Sequence, residues 1–220
     1  RPLDGSAGIA AFQVGQFESD NRFDEQLRSI ILEGGGGGQV MESYGLAYRF
    51  AAHHTATDAW DKRGKKGYLF TMGDEAFWPS ITAGELQQIF GVEATGEESV
   101  ADLYAKASEQ WEIYHIVITV GTSHGNDPTI HERWRKLLGE RLIKLDDADL
   151  VCEVIAGIVH MQETAHDVDT VVGDIGLTGR AAASVKNALV PVSGARVPTH
   201  LAKGNLPKRR DKGTGGVSPI

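Results

Sequence analysis

The chain has 220 residues, 41% hydrophobic and 24% charged, the composition of a globular domain with an appendage. Of its 22 Lys/Arg and 30 Asp/Glu, six bases and one acid fall in residues 191–220, so the net charge of −8 leaves −13 on residues 1–190. So acidic a body is expected not to grip nucleic-acid phosphates, and no apolar run approaches the ~18 residues that span a membrane.

Arg1-Pro2-Leu3-Asp4 offers neither an initiator Met nor the apolar stretch of a signal peptide, so the chain is expected to begin inside a longer reading frame. From Asp20, Phe23, Leu27, Ile30 and Ile31 recur at helical spacing on one face and predict a helix, ended by Gly34. Gly34, Gly35, Gly36, Gly37 and Gly38 follow without interruption. Such a run lets backbone pass close to a ligand at positive φ angles. Residues 42–57 predict a second helix with Leu46, Ala47, Phe50 and Ala51 facing inward, and residues 62–67 a basic turn. Tyr68-Leu69-Phe70-Thr71-Met72 is nearly all apolar, as in a strand covered on both faces, and it ends in Gly73-Asp74-Glu75.

Thr82 is placed to cap a short helix to Phe90, and residues 97–111 form a further helical stretch. Residues 113–120 are β-branched and apolar and predict a strand. Pro128 suits the first turn of a helix that Gly139 ends, residues 141–145 a short strand, and residues 147–161 a helix that buries Cys152 as a small hydrophobe. Residues 163–190 are weakly helical, and the prolines and glycines from Pro191 onward predict disorder. The single cysteine excludes an internal disulfide and fits a reducing cytoplasm.

Helices alternating with strands predict an α/β domain with a Rossmann-like, open, mainly parallel sheet, its crossovers placing helices on both faces. The carboxyl ends of the strands then share one rim, where open α/β sheets bind ligands. Residues 34–38, Asp74 and the loop 121–127 are expected to converge there. Phe77 and Trp78, directly after Asp74-Glu75, are either partner anchors on this rim or buried beneath the next helix.

Several chemistries lack their residues. His53 and His54 are neighbours on a helix and point apart, and the sequence has no His-Glu-x-x-His pattern. His115 lies in a strand and reads as a hydrogen-bonded core histidine. Gly38 is followed by Gln39-Val40, so the glycine run is no phosphate loop. His124, beside Ser123 in a polar rim loop, is the best catalytic candidate, and a hydrolase using His124 and Asp74 is the alternative to a binding function. Sequence neighbours such as Ser123 and His124 rarely make a nucleophile–base hydrogen bond, and no Gly-x-Ser-x-Gly elbow is present.

The ordered set of residues 34–44, Leu69-Phe70-Thr71-Met72-Gly73-Asp74-Glu75, Trp134-Arg135-Lys136-Leu137-Leu138-Gly139 and Ile143-Lys144-Leu145-Asp146-Asp147-Ala148-Asp149-Leu150 resembles a von Willebrand factor A-type domain. The nearest likeness is to uncharacterised bacterial cytoplasmic members of that superfamily, over about residues 13–162. The resemblance implies a non-enzymatic protein-interaction module with a metal-ion-dependent adhesion site for Mg²⁺, and an AAA-type ATPase as the class of partner. It places Asp74 in the strand-end ligand role and Ser43, with Glu42 as its rival, in the loop role. Glu75, Phe77, Trp78, Ser123, His124 and residues 34–38 would form the partner-binding rim. Gly73-Asp74 inverts the family's usual Asp-Gly order, and Asp4-Gly5-Ser6 lacks the strand that precedes the family's first motif. The resemblance therefore implies that the first, central strand is missing, that residues 1–162 are a partial domain, and that Mg²⁺ binding is weak or absent. Residues 163–190 would be a helical extension and 191–220 a basic tail.

Overall fold

The computed structural model describes residues 12–18, 20–32 and 41–194. The glycine run at 34–38, Asp4-Gly5-Ser6 and the tail from residue 195 lie outside the described residues. In chain order the elements are α1 (Arg22–Ser29), β1 (Met41–Glu42), α2 (Tyr44–His53), α3 (Asp58–Arg63), β2 (Gly67–Gly73), β3 (Ala76–Phe77), β4 (Ser80–Ile81), α4 (Ala83–Phe90), β5 (Glu98–Ser99) and α5 (Val100–Ala107). They continue with β6 (Trp111–Ile118), α6 (Pro128–Leu138), β7 (Leu142–Leu145), α7 (Val151–Thr164), α8 (Val168–Asp174) and α9 (Gly179–Ser193).

Local chemistry sets most of these boundaries. Thr82 Oγ1 accepts from the Glu85 N–H at 3.3 Å while Glu85 Oε2 accepts from the Thr82 N–H at 2.8 Å, a capping box that opens α4. Gly91, left-handed at φ 65°, closes it. The Asp127 carboxylate accepts from the Thr129 N–H at 2.8 Å, and Pro128 occupies the first turn of α6. The expected helix over 42–57 is shorter, because Thr57 caps a separate helix, α3, across what reads in sequence as the start of a basic turn.

The main sheet is parallel with the order β2-β6-β7, in register Thr71 to His115 and His115 to Leu142. Small ribbons pair β1 with β3 in parallel and β4 with β5 antiparallel. The fold is therefore mixed α/β with parallel sheets, and the described residues form no closed barrel. Strand β6 has no free face. Trp111, Ile113 and Val117 join a core with Leu46 and Tyr48 of α2, Leu86 of α4, Leu103 of α5 and Trp134 of α6. The alternate residues Tyr114 and Ile116 join a second core with Ile143 and Leu145 of β7, Val154 and Ile158 of α7, and Val185 and Leu189 of α9. The period-2 alternation of a strand thus serves two cores at once.

Helices cover both faces, but the chain achieves this differently from the sequence-level expectation. Both parallel crossovers, β2 to β6 and β6 to β7, pass through helices on the α2/α5/α6 side, since a sheet built in one direction with one handedness keeps its crossovers together. The opposite face is closed by α7, α8 and α9. Residues 163–190 are therefore integral to the second core and are not an appended extension. Nor does disorder begin at Pro191: α9 runs to Ser193, carried by fully buried Leu189 and Val192, and Pro191 sacrifices a single N–H in the last turn.

One more expectation fails for a geometric reason. Cys152 is exposed, because α7 buries the Val154, Ile158, Met161 stripe and Cys152 stands about 200° around the helix from Val154. No residue of α1 is buried, and Phe23, Leu27 and Ile31 are exposed. Periodicity identifies an apolar face; it does not supply the element that covers it.

The shared core has a measurable consequence. Leu189→Ala should cost about 2–5 kcal/mol, the usual range for a fully buried leucine. Urea denaturation should keep a single transition whether followed by tryptophan fluorescence or by circular dichroism. Two separate transitions would show that the carboxyl-terminal helices fold apart from the sheet.

Candidate functional site

The carboxyl ends of β2 and β6 form one rim, and three short segments meet on it. Strand β2 delivers Asp74 and Glu75 directly past its last residue, Gly73. The β1–β3 pairing brings in Glu42, which is in register with Phe77 and whose carbonyl accepts from the Trp78 N–H at 3.1 Å. The loop after β6 contributes His124, whose main-chain N–H donates to Asp74 Oδ2 at 3.2 Å.

This loop is fastened from several sides. Thr122 Oγ1 donates to the Ile118 carbonyl at 3.0 Å, Asn126 Nδ2 donates to the Thr119 carbonyl at 2.6 Å, and His131 Nε2 meets the Gly125 carbonyl at 2.8 Å from α6. Gly125 is required by space, since a Cβ there would stand 1.9 Å from the Ile118 carbonyl oxygen. Gly73 is required similarly: its missing side chain makes room for the Tyr44 hydroxyl, 1.9 Å from where a Cβ would be.

The electrostatics of the rim are those of like charges brought together. Desolvation first, and the neighbouring Asp74 second, raise the pKa of Glu42 above the usual carboxylate range, even though Glu42 is an exposed residue overall. Glu75 is raised by desolvation, then by Glu42 and Asp74, with His124 acting in the opposite direction. Its Oε2 is buried with no hydrogen-bond partner among the described residues. Burial raises the Tyr44 phenol, and Glu42, Asp74 and Glu75 all push it further in the same direction.

Beneath the rim lies an aromatic support. His115 stacks on Trp134 with ring centres 3.6 Å apart, and Tyr44 stands edge-on to both at 5.0 and 5.1 Å. Trp134 Nε1 donates to the Glu75 carbonyl at 2.9 Å, so the support holds the acidic turn by its backbone. His115 is fully buried, bonded through Nδ1 to Thr71 Oγ1 at 2.8 Å, and burial lowers its pKa to about 3. It is a neutral core histidine, as its strand position suggests.

Of the residues picked from sequence, Glu42, Asp74, Glu75 and His124 come together. Ser43 sits next to Glu42 at the N-cap of α2, without a side-chain capping bond. Ser123 is exposed in the rim loop, and Trp78 is half-buried. Phe77 is corrected: at 8% exposure it packs against Trp134, ring centres 4.7 Å apart, under the Arg133 guanidinium, and cannot anchor a partner. Tyr44, Trp134 and His131 support the site, a role that motif reading does not give them, because the partners of Tyr44 and Trp134 lie 19 or more residues away and that of His131 is a main-chain carbonyl.

Chemically, Glu42, Asp74 and Glu75 are a set of hard oxygen donors, of the kind that suits Mg²⁺, Ca²⁺ or Mn²⁺. Glu75 Oε2 is buried without a hydrogen-bond partner among the described residues, and Glu42 and Glu75 are raised beside Asp74; ligand atoms lying within 4.8 Å of one another are found, among the described residues, at His160, His166 and Asp174 and not at this trio. No protein-family model, curated protein or solved structure matches this chain.

Two pH effects follow. A carboxyl raised on folding destabilises the native state above its folded pKa, and the penalty fades as pH falls toward the ordinary value of about 4.3. Glu42→Gln and Glu75→Gln should therefore raise the melting temperature at neutral pH in chelator, with the gain shrinking on acidification; equal gains at both pH values would contradict the repulsion. His115 works in the opposite sense. The unfolded chain takes up its proton below about 6.5 and the native state only near 3, so stability is lost as pH falls through that window. His115→Phe should flatten the decline in urea midpoint over this range, and parallel declines would show that His115 is not its source.

Proposed function

We propose that the protein is an interaction module of the von Willebrand factor A type, which meets a carboxylate-bearing protein partner at the β2/β6 rim with the help of Mg²⁺. The observation that carries this reading is the convergence of Glu42 with Asp74 and Glu75 on one strand-end rim, where Asp74 adds to the raised proton affinity of Glu42, and Glu42 and Asp74 add to that of Glu75. Repelling carboxylates cost stability unless a cation or partner offsets them. The parallel sheet, with its ligand rim at the strand ends, supports the same reading.

In this role Asp74 is the strand-end ligand and Glu42, with Ser43 beside it, the loop ligand. Glu75 supplies further negative charge from the same turn. Mg²⁺ would supply an open coordination position for a partner's carboxylate. The bond from the His124 N–H holds Asp74 against the fastened loop, so its carboxylate is aimed before any partner arrives. Because His124 reaches Asp74 through its main chain, His124→Ala should leave partner binding nearly intact; the hydrolase alternative instead requires the ring. A cytoplasmic setting and an AAA-type ATPase as partner belong to this reading.

Calorimetric titration of Mg²⁺ and Mn²⁺ into the full chain, with Asp74→Ala alongside, tests it. Binding should be weak and should disappear in the variant. Absence of saturable heat, or identical isotherms for both proteins, would refute a cation-dependent rim.

A further inference from the structure

At the far end of the sheet from the rim, His160, His166 and Asp174 place a ligand atom each within 4.8 Å of one another. The location is fixed by Glu163, next to the end of α7, which accepts from Tyr68 Oη at 2.8 Å at the start of β2 and pairs with Lys65. We propose that these three residues form a second, independent metal site, one that takes Zn²⁺ and ties the end of α7 to the end of α8.

The distances match the spacing of ligand atoms around one ion as well as that of an ion pair. His160 Nε2 and His166 Nδ1 each lie 3.4 Å from the same oxygen, Asp174 Oδ2. Both are longer than the roughly 2.7–3.2 Å of an N–H···O hydrogen bond. Around Zn²⁺, bonds of about 2.0–2.1 Å at tetrahedral angles put neighbouring ligand atoms about 3.3 Å apart. Two edges of such a tetrahedron are therefore already present. The third, between the imidazoles, needs only side-chain adjustment, with ring centres 5.3 Å apart and tilted by 45°.

The backbone holds the ligands in place. Ala165 is left-handed at φ 60°, the one non-glycine residue with positive φ among the described residues, and it turns His166 back over the helix that carries His160. Thr164 Oγ1 links the two histidines, donating to the His160 carbonyl at 2.8 Å and accepting from the His166 N–H at 3.3 Å. Asp174 ends α8, which is anchored by buried Val168, Val171 and Val172. The side chains of His166 and Asp174 are about half exposed, leaving a fourth position open to water. Two imidazoles and one carboxylate suit Zn²⁺, whereas Mg²⁺ prefers oxygen ligands, so this corner and the rim select different ions.

The test is a Zn²⁺ titration of the chelator-treated full chain against a chromophoric competitor, with Co²⁺ as a visible-band reporter and melting temperature as a second readout. Expected is one saturable site, a Co²⁺ d–d band, and a Zn²⁺-induced rise in melting temperature. H160A, H166A and D174N should each weaken affinity by at least about 10-fold, comparing ligand loss with the 10–100-fold cost of losing outer-shell support. D74A and C152S should retain wild-type affinity, which separates this site from the rim and from the exposed thiol. All three ligand residues are partly exposed, so the metal-free variants should melt as the wild type does. No saturable Zn²⁺, or wild-type affinity and stabilisation in H160A and H166A, would overturn the proposal. So would loss of binding in C152S.

Discussion

Strand β6 is the constraint on which the rest of the structure depends. Its residues alternate between two cores, so every helix that packs on the main sheet is positioned by one side of this strand or the other. Burial of side chains such as Ile113, Ile116 and Val117 contributes about 1.5–3 kcal/mol each, far more than a surface contact. Parallel pairing with β2 and β7 then brings three strand ends to one edge. The location of the acidic rim follows from that pairing and not from any affinity of the acids for one another.

The rim itself is assembled against its own electrostatics. Glu42, Asp74 and Glu75 would separate if free, and they are held by forces that act elsewhere on the same residues. The β1–β3 ladder fixes Glu42 by its carbonyl, Trp134 fixes Glu75 by its carbonyl, and the His124 N–H fixes Asp74 by its carboxylate. Backbone fastening leaves most carboxylate oxygens available to a cation or a partner. The aromatic support below does not relieve the repulsion either, because burial keeps His115 neutral.

The carboxyl-terminal half shows how helical periodicity and tertiary role separate. Residues 163–190 carry a weak helical pattern, yet α8 and α9 close the second face of the sheet. The converse holds for α1, which has a clear apolar stripe and no buried residue. The His160, His166 and Asp174 corner is a further case. Its spacings of six and eight residues match no metal motif, and only the left-handed turn at Ala165 and the packing of α8 bring the three together.

What the sequence determined by itself is local. Capping residues such as Thr82 and Asp127, glycine stops such as Gly91, the apolar run of β2 and the β-branched run of β6 act within a few residues of where they stand, and they set the α/β alternation and the strand-end position of Asp74. Only the tertiary structure decided which acids share the rim, that Phe77 is covered by Trp134, and that Cys152 faces outward from α7. Each of these depends on contacts between segments far apart in the chain. Such contacts are set by how the two cores fill, and no window of sequence contains both sides of that packing.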